Sequence, residues 1–201
     1  MHEDGGGAVY VDCGSLLSVT SSIFISCSTK SYGAAIYAQH NLKTSVISYC
    51  SFIRCTGNHG GGMMTFYGPT SSIFSSRFIS CTAERYGGGM YHNCNTAKGT
   101  LNFRDSLFTA NKAKSESNHS RGGGAIEDYR YEKYSSTYLF LFFTGNTAPN
   151  GVGYDISTQD NALAQSCIIH CFTTTSSAQS FFNAGSHALT WLPQGIVRHA
   201  T

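Results

Sequence analysis

The sequence has little charge, little proline and no long apolar run. Charged residues make up 12% of its 201 positions, about half the usual share of roughly 25%. Lys and Arg total 13 against 11 Asp and Glu. A chain so near neutral lacks the clustered basic footprint of a nucleic-acid binder. No apolar stretch approaches the ~20 residues of a bilayer-spanning helix; the longest candidate, Tyr138 to Phe143, is strand-sized. The opening Met1-His2-Glu3-Asp4-Gly5 has neither the basic start nor the apolar stretch of a signal peptide. Either the protein stays inside the cell or these residues are an internal piece of a longer chain. The first repeat begins by residue 5, which favours the piece. Glycine clusters followed by Lys-Ser/Thr, and the Gly-x-Ser-x-Gly elbow, are missing too, so neither a nucleotide loop nor a hydrolase nucleophile is expected.

Glycine, by contrast, is frequent, at 22 residues, and it recurs in phase. Clusters at Gly5–Gly7, Gly33, Gly60–Gly62, Gly87–Gly89, Gly122–Gly124 and Gly151/Gly153 are each followed by an apolar or aromatic residue: Val9, Ile36, Met63, Met90, Ile126 and Tyr154. A second column is Phe24, Phe52, Phe78, Phe108, Phe143 and Ile168, and three residues beyond it come Cys27, Cys55, Cys81, Asn111, Asn146 and Cys171. A third is Val19, Ile47, Ile73, Phe103 and Tyr138. The segments around these columns are short, rich in β-branched and aromatic residues, and bounded by turn formers. A repeat of about 27 residues, the spacing of Val9, Ile36, Met63 and Met90, cannot bury its own apolar face; stacked repeats can. The reading is all-β: a single-stranded right-handed parallel β-helix of about six turns, a rod of about 29 Å at ~4.8 Å per rung. Residues 1–171 form the repeats, with an insertion loop at 112–121. Residues 172–201 form an irregular C-terminal cap or a truncated final turn.

Particular repeats resemble a known family. Gly123-Gly124-Ala125-Ile126 is a GGAI motif, and Phe108-Thr109-Ala110-Asn111 and Phe143-Thr144-Gly145-Asn146 are FxxN motifs. They resemble the repeats of polymorphic outer membrane proteins. Phe24-Ile25-Ser26-Cys27, Phe52-Ile53-Arg54-Cys55 and Phe78-Ile79-Ser80-Cys81 resemble more closely the version in protist β-helix surface proteins, where Cys takes the Asn slot. The resemblance implies a pectate-lyase-like superfold, display at the cell surface or outside the cell, adhesion, and no catalytic residues. These 201 residues carry no signal peptide, anchor or barrel of the kind that family uses.

Candidate chemistry is sparse. Of eight cysteines, Cys27, Cys55 and Cys81 fall on successive rungs, where side chains point the same way and a disulfide dihedral near 90° is hard to reach. Reduced thiols are expected there. The pairs Cys50/Cys55 and Cys167/Cys171 lack zinc-knuckle spacing, and His92 near Cys94 reads as a strand residue, so no metal and no cofactor are expected. Tyr10, Tyr37, Met64, Tyr91, Glu127 and Asp155 share one outward column. Its tyrosines Tyr10, Tyr37 and Tyr91 offer flat amphipathic contact area of the sort enriched at interfaces. Glu127 and Asp155 would be neighbours about 5 Å apart, the separation of a retaining glycosidase pair, or part of a calcium site with Asp128. Asn118-His119-Ser120 is a glycosylation sequon in the insertion loop.

The function expected is a non-enzymatic, adhesin-like segment that presents outward columns and a loop to a host, cell-surface protein or glycan partner. The alternative is a carbohydrate-active enzyme, a polysaccharide lyase or glycosidase using Glu127 and Asp155. Open β-helix ends expose strand edges, so end-to-end self-association is also expected.

Overall fold

A computed structural model of the chain describes residues 5–12, 16–39, 44–66, 70–94, 100–114, 122–130, 136–149, 155–159, 167–169, 171–173, 181–183, 189–192 and 196–199. They build a parallel β-helix with four walls. The first wall stacks seven parallel strands: Val9–Val11, Ile36–Gln39, Met63–Phe66, Met90–Cys94, Ile126–Arg130, Ile156–Gln159 and Phe181–Asn183. The second stacks Leu16–Thr20, Thr44–Ser48, Thr70–Phe74, Leu101–Arg104, Thr137–Leu139 and Cys167–Ile169. The third runs from Ile23–Ile25 through Ser51–Ile53, Arg77–Ile79, Leu107–Thr109 and Phe142–Thr144 to Cys171–Thr173. A short fourth wall pairs Thr56–His59, Thr82–Tyr86 and Lys112–Ala113. Among the described residues no helix is long and apolar enough to cross a membrane.

The repeat columns become files of buried side chains because equivalent residues pair in register: Val9 with Ile36, Ile36 with Met63, Met63 with Met90, Met90 with Ile126. Phe24, Phe52, Phe78, Phe108 and Phe143 stack ring on ring, with centroids 5.1, 4.6, 4.8 and 5.3 Å apart. Each fully buried ring contributes roughly 1.5–3 kcal/mol, so this file is the rod's principal apolar axis.

About four turns are complete, against the six expected; among the described residues the fourth wall has three strands, extended by single bridges from Ser28 to Thr56 and from Lys112 to Thr147, and residues beyond 149 are described in short pieces. The last register also differs. Ile156, not Tyr154, continues the first-wall file after Ile126. Ile168 pairs with Tyr138 and so continues the second-wall file, while Phe143 pairs with Thr173. Within 172–201, Phe181–Asn183 extends the first wall in parallel. Ile196–His199 pairs antiparallel with Cys171–Thr173 and with Leu189–Leu192, which reverses strand direction at that end of the third wall.

Two corners turn through left-handed backbone, with a residue other than glycine at every position but one. Between the second and third walls the corner residues are Ser21, Tyr49, Ser75, Asp105 and Phe140, all with φ between 48° and 55°. Between the third and fourth they are Ser26, Arg54, Ser80, Ala110 and Gly145. The residue after each corner turns inward. At the second corner these are the Cys/Asn positions, which stitch rung to rung. Asn111 Nδ2 donates to the Phe78 carbonyl at 2.9 Å, while its Oδ1 accepts from the Cys81 amide at 3.0 Å. Asn146 repeats both contacts one rung on, to the Phe108 carbonyl at 3.1 Å and from the Asn111 amide at 2.9 Å. Cys81 and Cys55 make the donor contact from Sγ, to the carbonyls of Phe52 and Phe24 at 3.4 and 3.6 Å. The ladder supplies partners for backbone groups that a corner would otherwise bury unpaired.

Candidate functional site

The first wall aligns Tyr10, Tyr37, Met64, Tyr91 and Glu127 as expected, but the column is not an open stripe. Tyr37 is 2% exposed and Tyr91 5%, against 42% for Tyr10. Tyr32, His59 and Tyr86 form a roof over them: His59 lies 5.1 Å from Tyr32, 5.2 Å from Tyr86 and 5.5 Å from Tyr91 between ring centroids. Tyr37 donates to Gln39 Oε1 at 2.5 Å, Gln39 Nε2 donates to Tyr10, and Asn93 Nδ2 donates to Tyr91 at 3.0 Å. These outward positions therefore form a second apolar cluster with Tyr129, and the exposed contact area expected of Tyr37 and Tyr91 is covered. Burial, with the charge of Arg85 nearby, pulls the His59 imidazole down to about 4. A neutral ring suits this aromatic setting.

The carboxylates are internal and separate in register. Glu127 pairs with Ser157, not with Asp155, because the last rung is shifted by two residues from the sequence reading. Asp155 falls level with Ala125, whose amide donates to the Asp155 carbonyl at 3.2 Å. Its side chain accepts from Asn146 Nδ2 at 3.0 Å, so an acid closes the amide ladder. Glu127 is fully buried and its Oε2 accepts from the amides of Gly122 and Gly123 at 3.3 and 3.1 Å. Burial pushes its carboxyl up to about 7, opposed by Ser157 and the two corner amides and assisted by the charge of Asp128. Asp128 points to the opposite, inner face and accepts from Ser136 at 2.9 Å and Tyr138 at 2.5 Å. A carboxyl with a pKa near 7 has the value a general acid needs, but neither Glu127 nor Asp155 has exposed surface.

His92 is likewise internal, with Nδ1 2.5 Å from Thr65 Oγ1. No group of three or more His, Cys, Asp or Glu that could hold a metal ion occurs among the described residues. Cys27, Cys50, Cys55, Cys81 and Cys94 are thiols. The stacked three share hydrogen bonds: the Cys81 thiol holds Cys55 down to about 7 and is itself raised well above the ordinary thiol value, first by that same bond and then by burial. Asn118, the rest of the 115–121 segment, Tyr154 and Cys13 lie outside the described residues.

The surface feature that the sequence reading missed lies on the corner between the second and third walls. The corner file reads Tyr49, Ser75, Asp105, Phe140: large, small, small, large. Tyr49 and Phe140 stand three rungs apart, about 14 Å, and the gap is a notch of about 490 Å³. Arg77 and Leu107 line it on the third-wall side, with Phe142 beside Phe140. The aromatic rims are open to solvent, Tyr49 at 64%, Phe140 at 51% and Phe142 at 47%. That volume is within the roughly 300–1,000 Å³ of small-ligand pockets. The signal in the sequence is a residue two places after each member of the Val19/Ile47/Ile73/Phe103/Tyr138 column, which the repeat places on the outside.

Comparison with protein-family models, with curated proteins and with solved structures finds no match.

Proposed function

We propose that this chain is a non-catalytic binding segment, a β-helix rod that presents outward files to a protein or glycan partner. The GGAI and FxxN repeats support a surface protein resembling the polymorphic outer membrane proteins, with its Cys-substituted rungs closest to the protist version. Its place is the cell surface or the extracellular space. The observation that carries the reading is the notch flanked by Tyr49 and Phe140, where large rings stand open, whereas Glu127 and Asp155 have no exposed surface.

The test is adhesion of beads coated with the 201-residue chain to cultured cells, run beside reducing-sugar release from a polysaccharide panel. Adhesion that falls in Tyr49→Ser/Phe140→Asn and survives in Glu127→Gln supports the reading. Sugar release that disappears in Glu127→Gln overturns it in favour of a polysaccharide-active enzyme.

A further inference from the structure

The face around the notch is apolar and basic. Ile23 and Ile25, on the same wall, are 67% and 55% exposed. The outward positions of the third wall and its two corners carry Arg54 and Arg77, with Arg104 at the end of the adjoining second-wall strand, against one carboxylate, Asp105. Asp105 is already neutralised by Arg104, with Nε to Oδ2 at 3.0 Å. No carboxylate among the described residues pairs with Arg77. The cation inside the notch is thus in no ion pair among the described residues, and Leu107, Phe140 and Phe142 share the lining with it.

The notch floor decides between ligand classes. Ser76 Oγ donates to the Phe74 carbonyl at 3.0 Å and accepts from the Cys50 amide at 3.2 Å. Ser106 Oγ donates to the Arg104 carbonyl at 2.9 Å and accepts from the Ser76 amide at 3.2 Å. Both floor hydroxyls are committed to the corner, and the rims Phe140 and Phe142 carry no polar atom. A sugar would find there the Tyr49 and Ser75 hydroxyls and the Asp105–Arg104 pair, and would leave the Arg77 charge unmatched. An apolar side chain between the rims with a carboxylate against Arg77 matches that charge, and arginine is the residue best shaped to hold that carboxylate. A concave site of this sort also suits an inserted side chain better than a flat lipid surface.

We infer that the notch between Tyr49 and Phe140 docks an acidic peptide segment of a partner protein, which seats an apolar side chain between the rims and a carboxylate on Arg77. The inference rests on the binding reading above and narrows its partner to a protein.

The experiment measures fluorescence anisotropy of labelled synthetic peptides with the full chain. One peptide is Asp/Glu-rich with a single central Leu or Phe, one is its Asn/Gln counterpart and one its Lys counterpart. The acidic peptide should bind, weaken with added salt, and lose about tenfold in affinity in Arg77→Glu, the scale of one charge-assisted hydrogen bond. Phe140→Asn keeps the left-handed corner, since Asn tolerates it, and should lose a similar factor. Circular dichroism of both variants should match the parent chain. Equal binding of the three peptides overturns the inference, as does binding of the acidic peptide that both variants retain. Binding instead to phosphatidylserine vesicles or to a hyaluronan oligosaccharide, with the acidic peptide ignored, also overturns it. Bead adhesion that still depends on Tyr49 and Phe140 while every peptide fails leaves the binding reading standing and removes only the peptide.

Discussion

Asn146 holds two rungs and an acid at once: its Nδ2 donates to the Phe108 carbonyl and to Asp155 Oδ1, while its Oδ1 accepts from the Asn111 amide. Asn111, one rung back, makes the same backbone contacts to Phe78 and Cys81. Asn111→Ala therefore strands a buried amide and a buried carbonyl, and should cost about 2–4 kcal/mol in urea unfolding. Asn111→Cys restores the donor half, as Cys81 does against Phe52, and should cost clearly less. Equal losses in the two variants would contradict the ladder.

Two glycines with nearly the same φ should respond differently to alanine. Gly60, at φ 64°, would place a Cβ 2.1 Å from the Met63 carbonyl oxygen. Gly145, at φ 60°, would place one in open space. Gly145→Ala should cost only the left-handed backbone, about 1–2 kcal/mol. Gly60→Ala must also move a strand, and should cost more or fail to fold. Paired melting curves test the order.

Glu127 and His59 tilt stability in opposite directions with pH. Glu127 rises from 4.5 to about 7 on folding, so its contribution is complete below pH 4.5 and is lost as pH climbs to 7. The stability of the parent relative to Glu127→Gln should fall by about 3 kcal/mol across that window. His59 drops from 6.5 to about 4, so its contribution is complete above pH 6.5 and is lost as pH falls to 4. The parent measured against His59→Phe should show the reverse slope. Unfolding free energies at half-unit pH steps read both difference curves; a flat one refutes the corresponding burial.

Tyr37 and Tyr91 belong to the fold. Tyr37→Ala removes a buried ring and its bond to Gln39, and should cost about 3–5 kcal/mol. Tyr10→Ala, at an exposed position, should stay within about 1 kcal/mol. Neither change should alter peptide binding at the notch, which lies on a different face.

The β-helix was legible because its period is written three times per rung, and in-phase files such as Phe24 to Phe143 leave little choice of register. The final rung was misread for a local reason: Gly151 and Gly153 imitate the corner glycines, yet pairing puts Ile156 opposite Ile126. That shift of two separated Asp155 from Glu127. The exposure of Tyr37 and Tyr91 was misread because strand alternation gives the side of the sheet and not what covers it. The cover comes from Tyr32, His59 and Tyr86, whose approach depends on the fourth wall. The notch was unread because a left-handed corner at Tyr49, Asp105 or Phe140 has no glycine to announce it.

Those corners leave a lasting freedom. Each left-handed residue sends its own side chain away from the axis, while its successor alone faces the interior. Lineages could exchange the outer letter rung by rung, from Ser21 to Tyr49 to Asp105, and leave the greasy column within undisturbed. The molecule thus keeps an editable margin beside a packed column: the outer letter is spared the constraint that the inner one carries.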